Sequence, residues 1–255
     1  MTWQSTGTAG SGGRSRGWAR HKGAALTVAA VAALGGGLAA CGSTGSTGSS
    51  GSTSSTSSTG SSPSADALVA SSVKAMQGLS SVRATGRIRS SGQDITIDWV
   101  LTPSISQGSF TTTKGSFQIV TSGSTVYMQA DSAFWQSQGS GAAAALLAGK
   151  WVTGIPAADS KDLVSSFNLK QLMGSLGSSG TFTNVGTSSV NGQQAVAIRS
   201  SDGSTGYVAA TGTPYLLKVV SPNNGAEGSV TLSEFGTAPV PTVPTGAVDL
   251  NTLAG

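Results

Sequence analysis

The segment from Asp94 to Leu101 alternates strictly, with Ile95, Ile97, Trp99 and Leu101 on one face and Thr96 and Asp98 on the other. Successive strand side chains point to opposite faces, so this pattern describes a strand with one buried face. Nine further stretches read as strands, at 82–89, 105–113, 115–120, 125–130, 181–187, 193–199, 204–209, 215–220 and 228–235. Most are separated by short turns such as Ser90-Ser91-Gly92, Asn191-Gly192 and Asn223-Asn224-Gly225, which predict antiparallel hairpin neighbours. A sheet of roughly ten antiparallel strands curls, because each strand twists relative to the next. The fold class expected is therefore α+β: an unclosed, curved antiparallel half-barrel of about ten to eleven strands, its concave face covered by helices. Such an arrangement creates room for an apolar cavity.

Three segments supply helices. Leu68, Val69, Val73, Met76 and Leu79 recur at three- and four-residue steps behind the start signals Pro63 and Ser64, predicting a helix over 66–79. A second stretch, about 132–147, holds Phe134-Trp135 and the run Ala142 to Ala145 and is divided near Gly139 and Gly141. A third, about 160–176, has Leu163, Val164, Phe167, Leu172 and Leu176 as its apolar set, with Asp162 near its start where the helix dipole favours negative charge. From Thr237 onward Pro239, Pro241 and Pro244 predict an extended tail rather than a central strand.

Only 9% of the 255 residues are charged, and the net charge of +4 comes from Arg14, Arg16, Arg20 and Lys22, because the remaining ten Lys and Arg balance the ten Asp and Glu. That distribution argues against a nucleic-acid partner for the folded part. His21 is the single histidine and Cys41 the single cysteine. Beyond position 41 there is thus no material for an intrachain disulfide, a Cys/His metal site or Ser-His-Asp or Cys-His catalysis, and neither a metal nor a cofactor is expected.

The basic cluster is followed at 23–40 by the uncharged, mostly apolar GAALTVAAVAALGGGLAA. A positive region before an apolar one is the layout of a secretory signal. Leu38-Ala39-Ala40-Cys41 resembles a bacterial lipobox, in which small residues fit the peptidase and the thiol of Cys41 takes the acyl anchor. The alternative is a permanent membrane helix with an incidental cysteine, against which Gly35-Gly36-Gly37 weighs. Residues 42–64 consist of Gly, Ser, Thr and one Pro and cannot bury enough apolar surface to order themselves. They read as a tether with a reach of roughly 25–30 Å. The expected organisation is 1–40 signal peptide, 41–64 lipidated cysteine and tether, and 65–255 one folded domain.

Several features together resemble the LppX/LprG-type lipoproteins, relatives of the LolA carrier fold. They are the lipobox, the helix 66–79, the hairpin through Trp99, Val126-Tyr127-Met128 running into Asp131-Ser132-Ala133-Phe134-Trp135, and Gly149-Lys150-Trp151-Val152. The resemblance implies an eleven-strand, unclosed barrel enclosing a pocket for the acyl chains of envelope lipids or glycolipids, anchored as a monomer on the extracytoplasmic face of the cell membrane. It carries no catalytic signature.

Inward-facing residues that would line such a pocket are Ile97, Trp99, Phe110, Phe117, Tyr127, Phe134, Leu146, Phe167, Leu172 and Leu217. The same positions would equally form a closed core, because periodicity reports only that a residue faces inward. A cargo-free wall-interaction module is the competing function. Enzyme readings are weaker: Asp94 and Asp98 stand four strand residues apart, about 13 Å, farther than paired glycosidase carboxylates. Arg83, Arg87 and Arg89 share one strand face, either to meet an anionic head group or as a charged sheet edge that discourages pairing.

Overall fold

A computed structural model describes residues 63–253, apart from 91, 139–140, 156–160, 162–163, 165–166, 178–179 and 223–225. The signal segment, Cys41 and nearly all of the tether lie outside the described residues. Helix α1 (Ala65–Gln77) begins as the sequence indicates, with the Ala67 N–H donating to Ser64 Oγ at 3.2 Å. It buries Met76 and Ser72 and leads through Leu79 into the sheet.

Strands β1 (Val82–Ser90), β2 (Gln93–Leu101), β3 (Ile105–Thr112), β4 (Gly115–Ser122), β5 (Thr125–Ala130) and β6 (Trp151–Thr153) pair in sequence order. Between β5 and β6 come the short helices α2 (Ser132–Ser137) and α3 (Gly141–Leu147). After helix α4 (Leu169–Gly177), a second meander is formed by β7 (Phe182–Val190), β8 (Gln193–Ser200), β9 (Thr205–Ala209), β10 (Leu216–Ser221) and β11 (Ala226–Ser233). The β7–β8 turn places Asn191 at φ 50° and Gly192 at φ 81°, both on the left-handed side as a two-residue hairpin turn requires.

The two meanders join where β1 pairs antiparallel with β11, and the sheet stays open, with β7 at one edge and β12 (Val248–Asp249) at the other. It therefore has twelve strands rather than ten or eleven, and it is mixed, because β12 runs parallel to β6. The two added strands are three and two residues long, too short to show a period of two in the sequence. The proline-rich tail contributes a strand only at the sheet edge, where missing N–H groups cost no ladder bonds. A last helix, α5 (Leu250–Leu253), follows.

The position of β1 corrects the edge reading of its arginines. It lies between β2 and β11, so both sides of its ladder are paired. Arg83 is held by Asp98 from β2, with contacts of 2.9 and 2.6 Å, and by Glu234 at 3.2 Å. Hydrogen bonds from Arg83 to Asp98 first, then to Glu234, raise its pKa above the ordinary value. Arg89 stands in register with Asp94 on one side and Glu227 on the other. The strip is charge-balanced and faces away from Ala84 and Ile88, which are buried.

Candidate functional site

The core of the first meander is a continuous line of aromatic rings. Trp99 lies 4.4 Å from Phe167 by ring centroids, Phe167 6.0 Å from Phe110, and Phe110 is stacked 4.8 Å from Phe117. Phe134 follows at 5.0 Å and Trp135 at 5.6 Å. These rings share one buried cluster with Ile97, Ile119, Met128 and Val152. Phe167 reaches it because the chain before α4 is fastened to the β2–β3 connection: Asn168 Nδ2 donates to Pro103 O at 2.9 Å, and residues 102 and 168 form a parallel bridge. The indole Nε1 of Trp99 and of Trp135 are buried with no hydrogen-bond partner among the described residues.

Asp131 explains why the segment Asp131 to Trp135 reads as a unit. Its Oδ1 accepts from the Phe134 N–H at 2.7 Å, capping α2, while its Oδ2 accepts from the Ser116 N–H at 2.7 Å, tying that helix to β4.

Of the ten residues expected to line a pocket, Ile97, Trp99, Phe110, Phe117, Phe134 and Phe167 come together in this packed cluster, and Leu172 packs against it. The other three depart from the expectation. Leu146 is 59% exposed, because α3 turns Ala144 and Leu147 inward instead. Tyr127 alternates with the buried Val126 and Met128 and so faces the opposite side of β5. Leu217 belongs to a separate small cluster with Val190, Ala195 and Ala209.

An apolar cavity of about 80 Å³ lies elsewhere, between α1, α4 and the second meander. None of the ten residues lines it. Its roof is Val69, Ser72 and Val73 from α1 and Met173 from α4. Its floor follows the register of the strands: Phe182 opposes Ser200, Ile198 opposes Gly206, Gly206 opposes Val219, and Val208 opposes Leu216. Gly206 adds no side chain in the middle of that floor. The sequence does carry a trace of this site. β8 and β9 alternate small or polar residues with Ile198 and Val208, and β9 has glycine where a core strand would carry a large side chain.

One end of the cavity is polar. Ser200 Oγ donates to Asp202 Oδ1, the Ser204 N–H donates to the same oxygen at 2.9 Å, and Ser204 Oγ donates to Asp202 Oδ2 at 3.2 Å. Burial pushes the Asp202 carboxyl up, but these hydrogen bonds from Ser200 and Ser204 outweigh it, and its pKa lies below the ordinary carboxylate value. A second depression of about 290 Å³, near β6 and β12, has a mixed lining of Ser124, Thr125, Val126, Thr153, Gly154, Ile155 and Asp249. Among the described residues no cluster of His, Cys, Asp and Glu could hold a metal ion, and no helix is long and apolar enough to cross a membrane.

An open, curved sheet with helices on its concave face and an apolar slot beneath them defines the class: a half-barrel of the kind the sequence resemblance implies. The structure is similar to that of the lipoprotein LppX from Mycobacterium tuberculosis, at 16% identity and a TM-score of 0.47, covering 70% of this chain and 97% of that one. It is similar also to LprF from Mycobacterium bovis, at 18% identity and a TM-score of 0.46, covering 72% and 97%. An uncharacterized conserved protein from Thermus thermophilus gives 10% identity and a TM-score of 0.41, covering 72% and 96%. No protein-family model matches the sequence, and no curated protein matches it.

Proposed function

We propose that this protein is a lipoprotein anchored through Cys41 to the extracytoplasmic face of the cell membrane, where residues 65–255 bind, and hand on, an envelope lipid or glycolipid without catalysis. Residues 1–40 serve as its signal peptide and 41–64 as the lipidated cysteine and tether, and the folded part acts as a monomer. The observation that carries the reading is the apolar slot between α1, α4 and strands β7 to β10. Acyl burial is worth about 0.8 kcal/mol per CH₂, so one chain supplies ample affinity without a precise polar site. At about 80 Å³ the slot is smaller than ligand pockets of roughly 300–1,000 Å³, so α1 and α4 must part from the sheet to admit a whole chain.

Native mass spectrometry of the full chain released from detergent, followed by organic extraction, tests this. A stoichiometric, non-covalent lipid that is lost in Gly206→Val supports it. That substitution fills the floor of the slot, where a Cβ would stand 3.3 Å from Leu216 Cδ1. A cargo-free wall-interaction module is the second reading, favoured by the closed aromatic core of the first meander. A mass free of lipid, with no uptake from added envelope lipids, would favour that second reading.

A further inference from the structure

The depression beside β6 and β12 borders the face of the sheet turned away from the helices. Thr125 and Tyr127 alternate with the buried Val126 and Met128 on β5, and Trp151 and Thr153 flank the buried Val152 on β6. Thr125 and Thr153 border the depression, so Tyr127 and Trp151 each stand one strand repeat, about 7 Å, from its rim. Asp249 joins them, in register with Thr153. Gly154, at φ 76°, keeps the opening clear, because a side chain there would strike the Asp249 carboxylate. Ser124 and Thr125 add exposed hydroxyls to the rim.

Beyond this rim the outer face carries amides. Gln118, Gln129 and Trp151 stand directly in register across β4, β5 and β6, a span of about 10 Å at two strand spacings. Gln107 Nε2 donates to Gln118 Oε1 at 3.2 Å, and Gln129 Nε2 donates to Gly149 O at 2.7 Å. A side-chain amide has two donors and an acceptor with two lone pairs, so these bonds leave donors and acceptors over for a ligand. The outward-facing residues of β3, β4 and β5 carry no charge, and among the described residues no Lys or Arg borders the depression, so an anion finds no counter-charge. Val120 on the same face is 1% exposed. The apolar surface that remains is two partly exposed rings, too little for a membrane or the core of a protein interface. Separate rings among amides and hydroxyls suit a saccharide, whose C–H face packs on an aromatic face while its hydroxyls pair with the amides.

We propose that this outer face is a binding site for a neutral saccharide, with one sugar unit seated in the depression against Thr125, Thr153 and Asp249 and the next laid across Tyr127, Trp151 and Gln129. The site lies on the opposite side of the sheet from the apolar slot and does not depend on lipid binding. The test titrates the full chain, in a detergent without a sugar head group, with chitotetraose, mannotetraose and maltotetraose by isothermal calorimetry. The expected result is binding of at least one of them with a Kd below about 1 mM, weakened at least about tenfold in Trp151→Ala and at least about threefold, the worth of one hydrogen bond, in Gln118→Ala. Leu146→Ala, on α3 over the concave face, leaves the affinity unchanged. Absence of binding by all three to the unsubstituted protein overturns the proposal, and so does an affinity that Trp151→Ala and Gln118→Ala both leave intact. Should Trp151→Ala fail to fold, the Gln118→Ala titration decides alone.

Discussion

Phe167 is 1% exposed and rests against Trp99 and Phe110 above Gly108, where even a Cβ would stand 2.8 Å from Phe110 Cε2 and 3.0 Å from Phe167 Cε1. It therefore acts as a core residue. Phe167→Ala should destabilise the protein by about 3–5 kcal/mol, measured by urea unfolding, whereas Leu146→Ala, at a surface position, should stay within about 0.5 kcal/mol. Equal effects would mean that Phe167 lines an adaptable pocket rather than a packed core. Asp202 makes a second prediction. Its folded-state pKa is depressed, so its contribution to stability is full above its unfolded value of about 3.9 and is lost as pH falls through the lower folded-state value. Melting curves from pH 6 to pH 2 should show a shallower acid decline for Asp202→Asn than for the unsubstituted protein, and parallel curves would contradict the assignment. The sequence places Phe167 inside a helix over about 160–176, whereas it stands in the turn before α4, and the sequence reading does not single out Asp202. It could not tell the core position of Phe167 from a pocket wall, because both face inward and differ only in what fills the space opposite.

The element that closes the architecture is the β1–β11 pair. Gly86 and Gly228 sit two registers apart on facing strands, and a Cβ at Gly86 would come within 2.8 Å of Val230 Cα and one at Gly228 within 2.7 Å of Ile88 Cα. Two backbones approach too closely there for side chains. Gly86→Val should therefore be among the more destabilising single changes in the sheet, costing more than about 2 kcal/mol by the overpacking that cores resist, as read from the midpoint of denaturant unfolding. A midpoint equal to that of the unsubstituted protein would show that the seam has slack. The strands themselves were legible, since β2 alternates over its full length and the Asn191-Gly192 turn names its own hairpin. Their order across the seam was not. β1 meets β11 only after most of the domain has intervened, and no local pattern encodes a partner at that distance.

For the whole molecule, the two meanders divide the labour. The first carries the aromatic core, and the second carries the slot over a floor of small and branched residues. A ligand that binds only the folded state stabilises it by mass action, about 2.7 kcal/mol at a hundredfold excess over Kd. Adding 1-oleoylglycerol should thus raise the melting temperature of the full chain, and Gly206→Val should abolish the rise while remaining folded. A shift of equal size in both proteins would place the lipid outside the slot.

What the sequence determined by itself is local: the positions of ten strands and the first helix, the hairpin turns and the exclusion of histidine- and cysteine-based chemistry in the folded part. These follow from periodicity, turn chemistry and residue inventory, which act over a few residues. Only the tertiary structure decided which inward-facing residues close into a core and where empty space remains. That space is the difference between the volume enclosed by β7 to β10 with α1 and α4 and the volume their side chains fill, and both quantities exist only once the distant strands have met.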